Sequence, residues 1–488
     1  MSPAIDQPQP VSAGLRPRIG LVLGPALFAL VLLLPAPAGM EPAAWRTTAV
    51  AVLMATWWIT EAIPIPATAL LPLALFPALG IVPIAAASGP YANPVIWLFL
   101  GGFLIAIAIE RCGLHRRLAL GILRAVGTRP ANLIGGFMLG TAFLSMWISN
   151  TATVLMMLPM ALSVLALVDR ESPAEGADPN FALALLLGLA YAANIGGLGT
   201  LIGTPPNALL AGFMSESLGV QIGFGEWMML GVPLVAVSLP LCWLLLVRVL
   251  YPVRRTEIAG GAGVIRREAA GLGPVSRAEW TVGIVTACTA TAWVVRPLLE
   301  GFVPGLNDTS IAIAGAILLF LVPVDWRGGV FPLDWKAAEG VPWSVLLLFG
   351  GGLSLAGAIS ETGLAAWIGG AMEGVGAWPL VLVVLAVTAV VIFLTELTSN
   401  TATAASFLPV VAALAVGIGA APLQLAVPTA LAASCAFMMP VATPPNAIVY
   451  GSGRVSIPQM VRAGIWLNLL FIGLITAAVF VLVPRVFG

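Results

Sequence analysis

Apolar residues run along this chain for about twenty positions at a time, and short polar or Pro/Gly-rich stretches divide the runs. The runs are rich in Leu, Val and Ala and do not alternate with polar residues at every second position, so they predict helices and not barrel strands. Spans are expected near 18–36, 43–62, 64–82, 94–126, 181–214, 226–252, 277–298, 308–323, 341–372, 423–450 and 459–487. Two longer segments, 131–168 and 378–418, each hold a Ser-Asn-Thr sequence near the middle. Composition strengthens the picture. Of 488 residues, 60% are hydrophobic and 9% charged, more apolar material than a soluble core can hide. The expectation is an all-α integral membrane protein without a soluble module.

Arg16 and Arg18 precede an apolar run that ends in Ala36-Pro37-Ala38, a sequence like a signal-peptide cleavage site. From Ile19 the run is about 18 residues long, enough to cross, so a retained first span is expected. Cys112, Cys242, Cys288 and Cys435 stand singly and predict neither a disulfide framework nor a metal knuckle. His115, the only histidine, neighbours Arg116 and Arg117 and is read as part of a solvated turn.

The two halves of the chain repeat. Ser149-Asn150-Thr151-Ala152-Thr153 returns 250 positions later as Ser399-Asn400-Thr401-Ala402-Thr403, and Phe99, Gly101, Gly113 and Leu114 return as Phe349, Gly351, Gly363 and Leu364 in the same register. Thr204-Pro205-Pro206-Asn207 returns as Thr443-Pro444-Pro445-Asn446 at an offset of 239. Duplication accounts for matched motifs in the same order. The chain divides into an N-terminal segment with the first span (1–42), a first repeat (43–255), a cytoplasmic linker (256–276) and a second repeat (277–488).

As single helices the two Ser-Asn-Thr segments would stretch about 57 to 62 Å, twice the bilayer. A re-entrant helical hairpin that turns at Ser-Asn-Thr fits the length better, and the distribution of positive charge supports it. With hairpins, 18 Lys and Arg residues fall on the cytoplasmic side and only Arg46, Arg296 and Arg485 outside; with single crossings the division is 10 against 11. The result is eleven spans plus two re-entrant hairpins, with the N-terminus cytoplasmic and the C-terminus outside a bacterial inner membrane. Five spans per repeat, an odd number, make the repeats inverted.

A Pro-Pro pair inside an apolar span removes two backbone donors and clashes with the preceding turn, so the spans at Thr204–Asn207 and Thr443–Asn446 are expected to break. Broken helices free carbonyls that protein, water or an ion must satisfy. A plain proline kink is the alternative. At each tip, Ser-Asn-Thr offers oxygens and an amide that can cap a helix, ligate a hard cation or donate to a carboxylate. Ser145 and Thr395 add an oxygen one helical turn back. Neither the hairpins nor the broken spans contain Lys or Arg, so a buried dianion there would need co-bound cations for charge balance. Glu396 is the one acid beside a tip; Met146 takes the equivalent position in the first repeat.

These motifs, with Thr60-Glu61-Ala62-Ile63-Pro64 after Trp57-Trp58, resemble the divalent anion:sodium symporter family of dicarboxylate, citrate and sulfate carriers over nearly the whole chain. The resemblance implies a homodimer in lipid, in which a transport domain slides as an elevator against a scaffold. It implies that Ser149, Asn150, Thr151, Ser399, Asn400, Thr401, Thr204, Pro205, Thr443 and Pro444 surround the substrate carboxylates. It implies one Na+ site from Ser145, Ser149, Asn150 and Gly203, and a second from Thr395, Thr398, Asn400 and Ala442, the last through backbone carbonyl oxygen. The expected function is sodium-coupled symport of C4-dicarboxylates; sodium-independent exchange, or citrate or sulfate transport, stands as the alternative within the family. An ion antiporter would need a buried titrating pair, where the sequence offers only Glu396. A channel would need a continuous polar lining, and no constellation for enzyme catalysis stands in the spans. No nucleic-acid partner is expected.

Overall fold

The computed structural model describes residues 15–127, 129–171, 179–253 and 261–487, and every regular element among them is helical. Nine helices among the described residues are long and apolar enough to cross a membrane. Residues 1–14 of the expected N-terminal segment, Arg254 and Arg255, and residues 256–260 of the expected linker lie outside the described residues. The rest of the linker holds a helix, Gly261–Gly271.

Three expected spans are divided. The run 64–82 forms the short helices Ile65–Thr68 and Leu71–Ala78, because Pro66 and Pro72 each sit in the first turn of a new helix, where the missing N–H costs nothing. The run 94–126 ends its first helix at Cys112. Gly113 then turns left-handed, at φ 78°, and an amphipathic helix, Leu114–Val126, follows. The run 341–372 does the same: Trp343–Glu361 is followed by Gly363 at φ 76° and by Leu364–Ala371. A left-handed residue at a helix end favours glycine, and the duplication has kept it.

The charged face of Leu114–Val126 has partners outside the apolar layer. Arg117 Nε donates to Glu279 at 2.7 Å, and its other nitrogens donate to the carbonyls of Leu272, Gly273 and Pro274. His115 is not in a solvated turn. It is buried, with Nδ1 3.1 Å from the Ile109 carbonyl oxygen, because Gly113 folds the new helix back over the end of the old one.

The centre of the bundle belongs to the repeated motifs. The helix Pro179–Gly197 is buried over nearly its whole length and packs against Pro130–Ser145 and Asn150–Glu171. Asn400–Gly417 packs on Leu423–Ala433 in the corresponding way. At the periphery, Leu15–Leu33 buries only Gly20 and Gly24 and lies along Pro42–Thr60. Trp280, Ile284 and Val294 of Arg277–Val294 are exposed, as an apolar face toward lipid requires.

Candidate functional site

Each Ser-Asn-Thr sequence joins two helices. Pro130–Ser145 passes through residues 146–149 into Asn150–Glu171, and Leu380–Thr395 passes through 396–399 into Asn400–Gly417. Capping, the modest reading, holds at Ser149, whose Oγ accepts from the Ala152 N–H at 3.1 Å. The asparagines do something else. Asn150 Oδ1 meets the Ser145 hydroxyl, which also lies 2.8 Å from the Ala193 carbonyl oxygen. In the second copy the Thr395 hydroxyl stands 2.8 Å from Asn400 Oδ1 and 2.9 Å from the Ala433 carbonyl oxygen. The same three-group pattern is thus built twice, each time tying a hairpin tip to the end of a half-helix.

Both broken spans interrupt ahead of their prolines. Thr204 (φ −147°, ψ 141°) and Thr443 (φ −142°, ψ 149°) are extended N-caps, and Pro205 and Pro444 open the second half-helices, Pro205–Leu218 and Pro444–Gly451. The unwound links run over 198–204 and 434–443. One asparagine staples each link. Asn207 Nδ2 donates to the carbonyls of Gly197 (3.1 Å) and Thr200 (2.8 Å); Asn446 Nδ2 donates to those of Ala436 and Met439, both at 3.1 Å. The links also touch each other across the repeats. Thr204 Oγ1 lies 3.2 Å from Ser434 Oγ, and Asn194 Nδ2 donates to Thr443 Oγ1 at 3.3 Å.

Asn150 and the first link approach each other at Gly197. A Cβ there would lie 3.0 Å from the Gly203 carbonyl oxygen, 3.1 Å from Asn150 Oδ1 and 3.3 Å from Asn150 Nδ2. Asn150 and Gly203, two of the four residues expected at the first sodium site, meet in this space, and a third, Ser145, joins them through its hydroxyl on Asn150 Oδ1; their oxygens are of the hard kind that suits an alkali cation. The fourth, Ser149, spends its hydroxyl on capping. Of the second set, Thr395 and Asn400 are in contact. Thr398 instead has its hydroxyl on the Leu394 carbonyl oxygen (3.0 Å) and Thr403 Oγ1 (2.6 Å), and Ala442 sits on the second link with its N–H on the Met439 carbonyl.

Of the expected substrate residues, Ser399 and Thr401 line an open cavity of about 670 Å³ together with Glu61, Ile63, Pro64 and Ser344. Thr151 and Ser149 do not line it; they stand on the other tip. A fixed cation reaches the second tip from outside the repeated motifs. Arg16 donates to the Ile59 and Leu397 carbonyls and so reaches the second tip from the first helix.

Glu396 is buried and tied to the second link. Its carboxylate accepts from the N–H groups of Phe437 (2.7 Å), Met438 (2.9 Å) and Met439 (3.1 Å), and from Asn468 Nδ2 (2.8 Å). In the first repeat a neutral contact takes its place: the Thr200 hydroxyl donates to the Met146 carbonyl at 2.6 Å. Sequence reasoning gave no role to Asn194, Asn207, Ser434 or Asn446. Duplication of the whole Thr-Pro-Pro-Asn motif, asparagine included, was the available signal for two of them.

The profile described as the sodium:sulfate symporter transmembrane region matches residues 18–484. The sodium-dependent dicarboxylate transporter SdcS of Staphylococcus saprophyticus is 44% identical over 478 residues, 96% of this chain and 92% of that one. SdcS of Staphylococcus aureus strain USA300 is 42% identical over 490 residues, 98% and 93% of the two chains. Among solved structures, the YdaH transporter of Alcanivorax borkumensis superposes with a TM-score of 0.58 over 96% of this chain and 97% of that one, at 15% identity. MtrF of Neisseria gonorrhoeae gives 0.59 over 95% of each chain, at 12% identity. These two likenesses show a shared fold.

Proposed function

Since this chain belongs to the sodium:sulfate symporter family, we propose that it carries C4-dicarboxylates such as succinate, malate and fumarate across a bacterial inner membrane by symport with sodium. The relatives' names supply the substrate and ion classes, and the chain's own residues supply the means. Ser149, Asn150 and Thr151 on one tip and Ser399, Asn400 and Thr401 on the other hold the substrate carboxylates with Thr204, Pro205, Thr443 and Pro444. Sodium ions stand behind them, one at Ser145, Ser149, Asn150 and Gly203 and one at Thr395, Thr398, Asn400 and Ala442. The shorter helices complete eleven spans and two re-entrant hairpins in inverted repeats. The hairpins and broken spans move as an elevator against a scaffold that forms a homodimer.

The observation that carries this reading is the cradle at Gly197, where Asn150 Oδ1 and the Gly203 carbonyl converge. Oxygen without a neighbouring ammonium or guanidinium suits a cation, and a cation in turn offsets the charge of a buried carboxylate. The ion thereby becomes a condition for substrate binding. Alternating access follows if the loaded site crosses readily while a site holding ion or substrate alone does not.

Uptake of radiolabelled succinate into proteoliposomes tests this, with sodium or choline outside and with citrate, sulfate or unlabelled malate as competitor. Accumulation is expected only under the inward sodium gradient, with malate the strongest competitor. Uptake that ignores sodium but requires internal dicarboxylate would make the protein an exchanger.

A further inference from the structure

The two staple asparagines leave something over. Asn207 and Asn446 are fully buried, and each spends its NH2 group on two carbonyls of its own link. Carbonyls only accept, so the amide orientation is fixed and each Oδ1 must point the other way. No donor meets either oxygen among the described residues. A buried acceptor without a partner is costly, and nothing about fold alone requires two of them at repeat-related positions 239 residues apart. Asn468 Oδ1 is also buried without a donor, but its amide serves Glu396, and the repeat offset of 239 would put methionine, Met229, at the corresponding position. Only the pair in the Thr-Pro-Pro-Asn motifs recurs.

The surroundings indicate what the missing partner is. At its Nδ2 end Asn207 meets the carbonyls of Gly197 and Thr200, and the space beside Gly197 brings the Gly203 carbonyl together with both amide atoms of Asn150, Oδ1 and Nδ2. Around Asn446 stand the carbonyls of Ala436 and Met439 and the Thr443 hydroxyl. In the second link, the N–H groups of Phe437, Met438 and Met439 are already taken by Glu396. Carbonyl and amide oxygens gathered at unwound links of this kind are the ligands that a hard cation takes.

We propose that Asn207 and Asn446 are cation ligands through Oδ1, one in each repeat, beyond the residues assigned to the sodium sites above. This rests on the sodium-coupled reading. The amide nitrogen shapes the link and the amide oxygen holds the ion, so link geometry and ion occupancy are coupled through a single side chain.

Sodium-dependent thermal stabilisation of the full-length protein in detergent, without substrate and with choline as the control ion, reads ion binding apart from transport. Asn207→Ala and Asn446→Ala should each raise the sodium concentration for half-maximal stabilisation about tenfold or more. Asn207→Asp and Asn446→Asp lose the two donated bonds as alanine does but keep an oxygen ligand. They should stay within about threefold of the parent. If aspartate and alanine shift the response equally, or alanine leaves it unchanged, the asparagines are staples only and the proposal fails. If the parent protein shows no sodium-dependent stabilisation, the coupling reading itself fails.

Discussion

Asn150 and Asn400 each accept, through one side-chain oxygen, from the Ser145 or Thr395 hydroxyl that also meets a half-helix carbonyl, so truncating them removes a proposed ligand without opening the core. Asn150→Ala and Asn400→Ala are expected to lower sodium-driven succinate uptake at least about tenfold, while size-exclusion profiles of the purified protein stay unchanged. Uptake at parental rates in both would remove the assignment. Gly197→Ala tests the cradle from the other side. Its methyl group would occupy the space between the Gly203 carbonyl and Asn150 Oδ1, and a weakened sodium response with normal folding is the expected result. Glu396 has a different kind of role. Glu396→Gln keeps one acceptor but turns an NH2 toward backbone donors, at a cost of about 1–3 kcal/mol in stability, read from a chemical unfolding curve. The Ser-Asn-Thr residues were legible in the sequence because duplication set them apart from ordinary caps. The partners of Glu396 were not legible, since three of them are main-chain N–H groups, which every residue but proline possesses.

Helices were easier to read than their interruptions. Continuous apolar runs gave the spans and the breaks at Thr-Pro-Pro-Asn, but the divisions at Gly113 and Gly363 were hidden because glycine is common in membrane helices. The clue lay in Arg116, Arg117 and Arg124, which the sequence reading used only as topology signals although they recur at nearly helical spacing after Gly113. A side chain at either left-handed glycine is expected to destabilise by about 1 kcal/mol, so Gly113→Ala and Gly363→Ala should each lower the thermal midpoint. The paired helices at each tip make a prediction about sidedness. In a background with the four cysteines replaced by serine, cysteines at Asn132 and Ala166 should be labelled from one face of the membrane, and cysteines at Val381 and Val416 from the other. Labelling of the first pair from opposite faces would remove the hairpin.

For the whole molecule, duplication produced two halves of the same plan and left them unequal. The second link is pinned by a carboxylate to three successive amides; the first is held by neutral contacts, the Thr200 hydroxyl on the Met146 carbonyl, the Trp227 indole on the Leu198 carbonyl and the Asn207 amide. Pins of such different strength give the halves different compliance. The expectation is that the stiffer half keeps its form when empty and that the softer half acquires its form from what it binds. Hydrogen exchange in sodium-free buffer should therefore find the amides of residues 437–439 better protected than those of Leu201 and Ile202, with sodium slowing exchange most in the first link. The expected consequence is ordered loading, rigid half first, with the late-filling half deciding when the cycle advances.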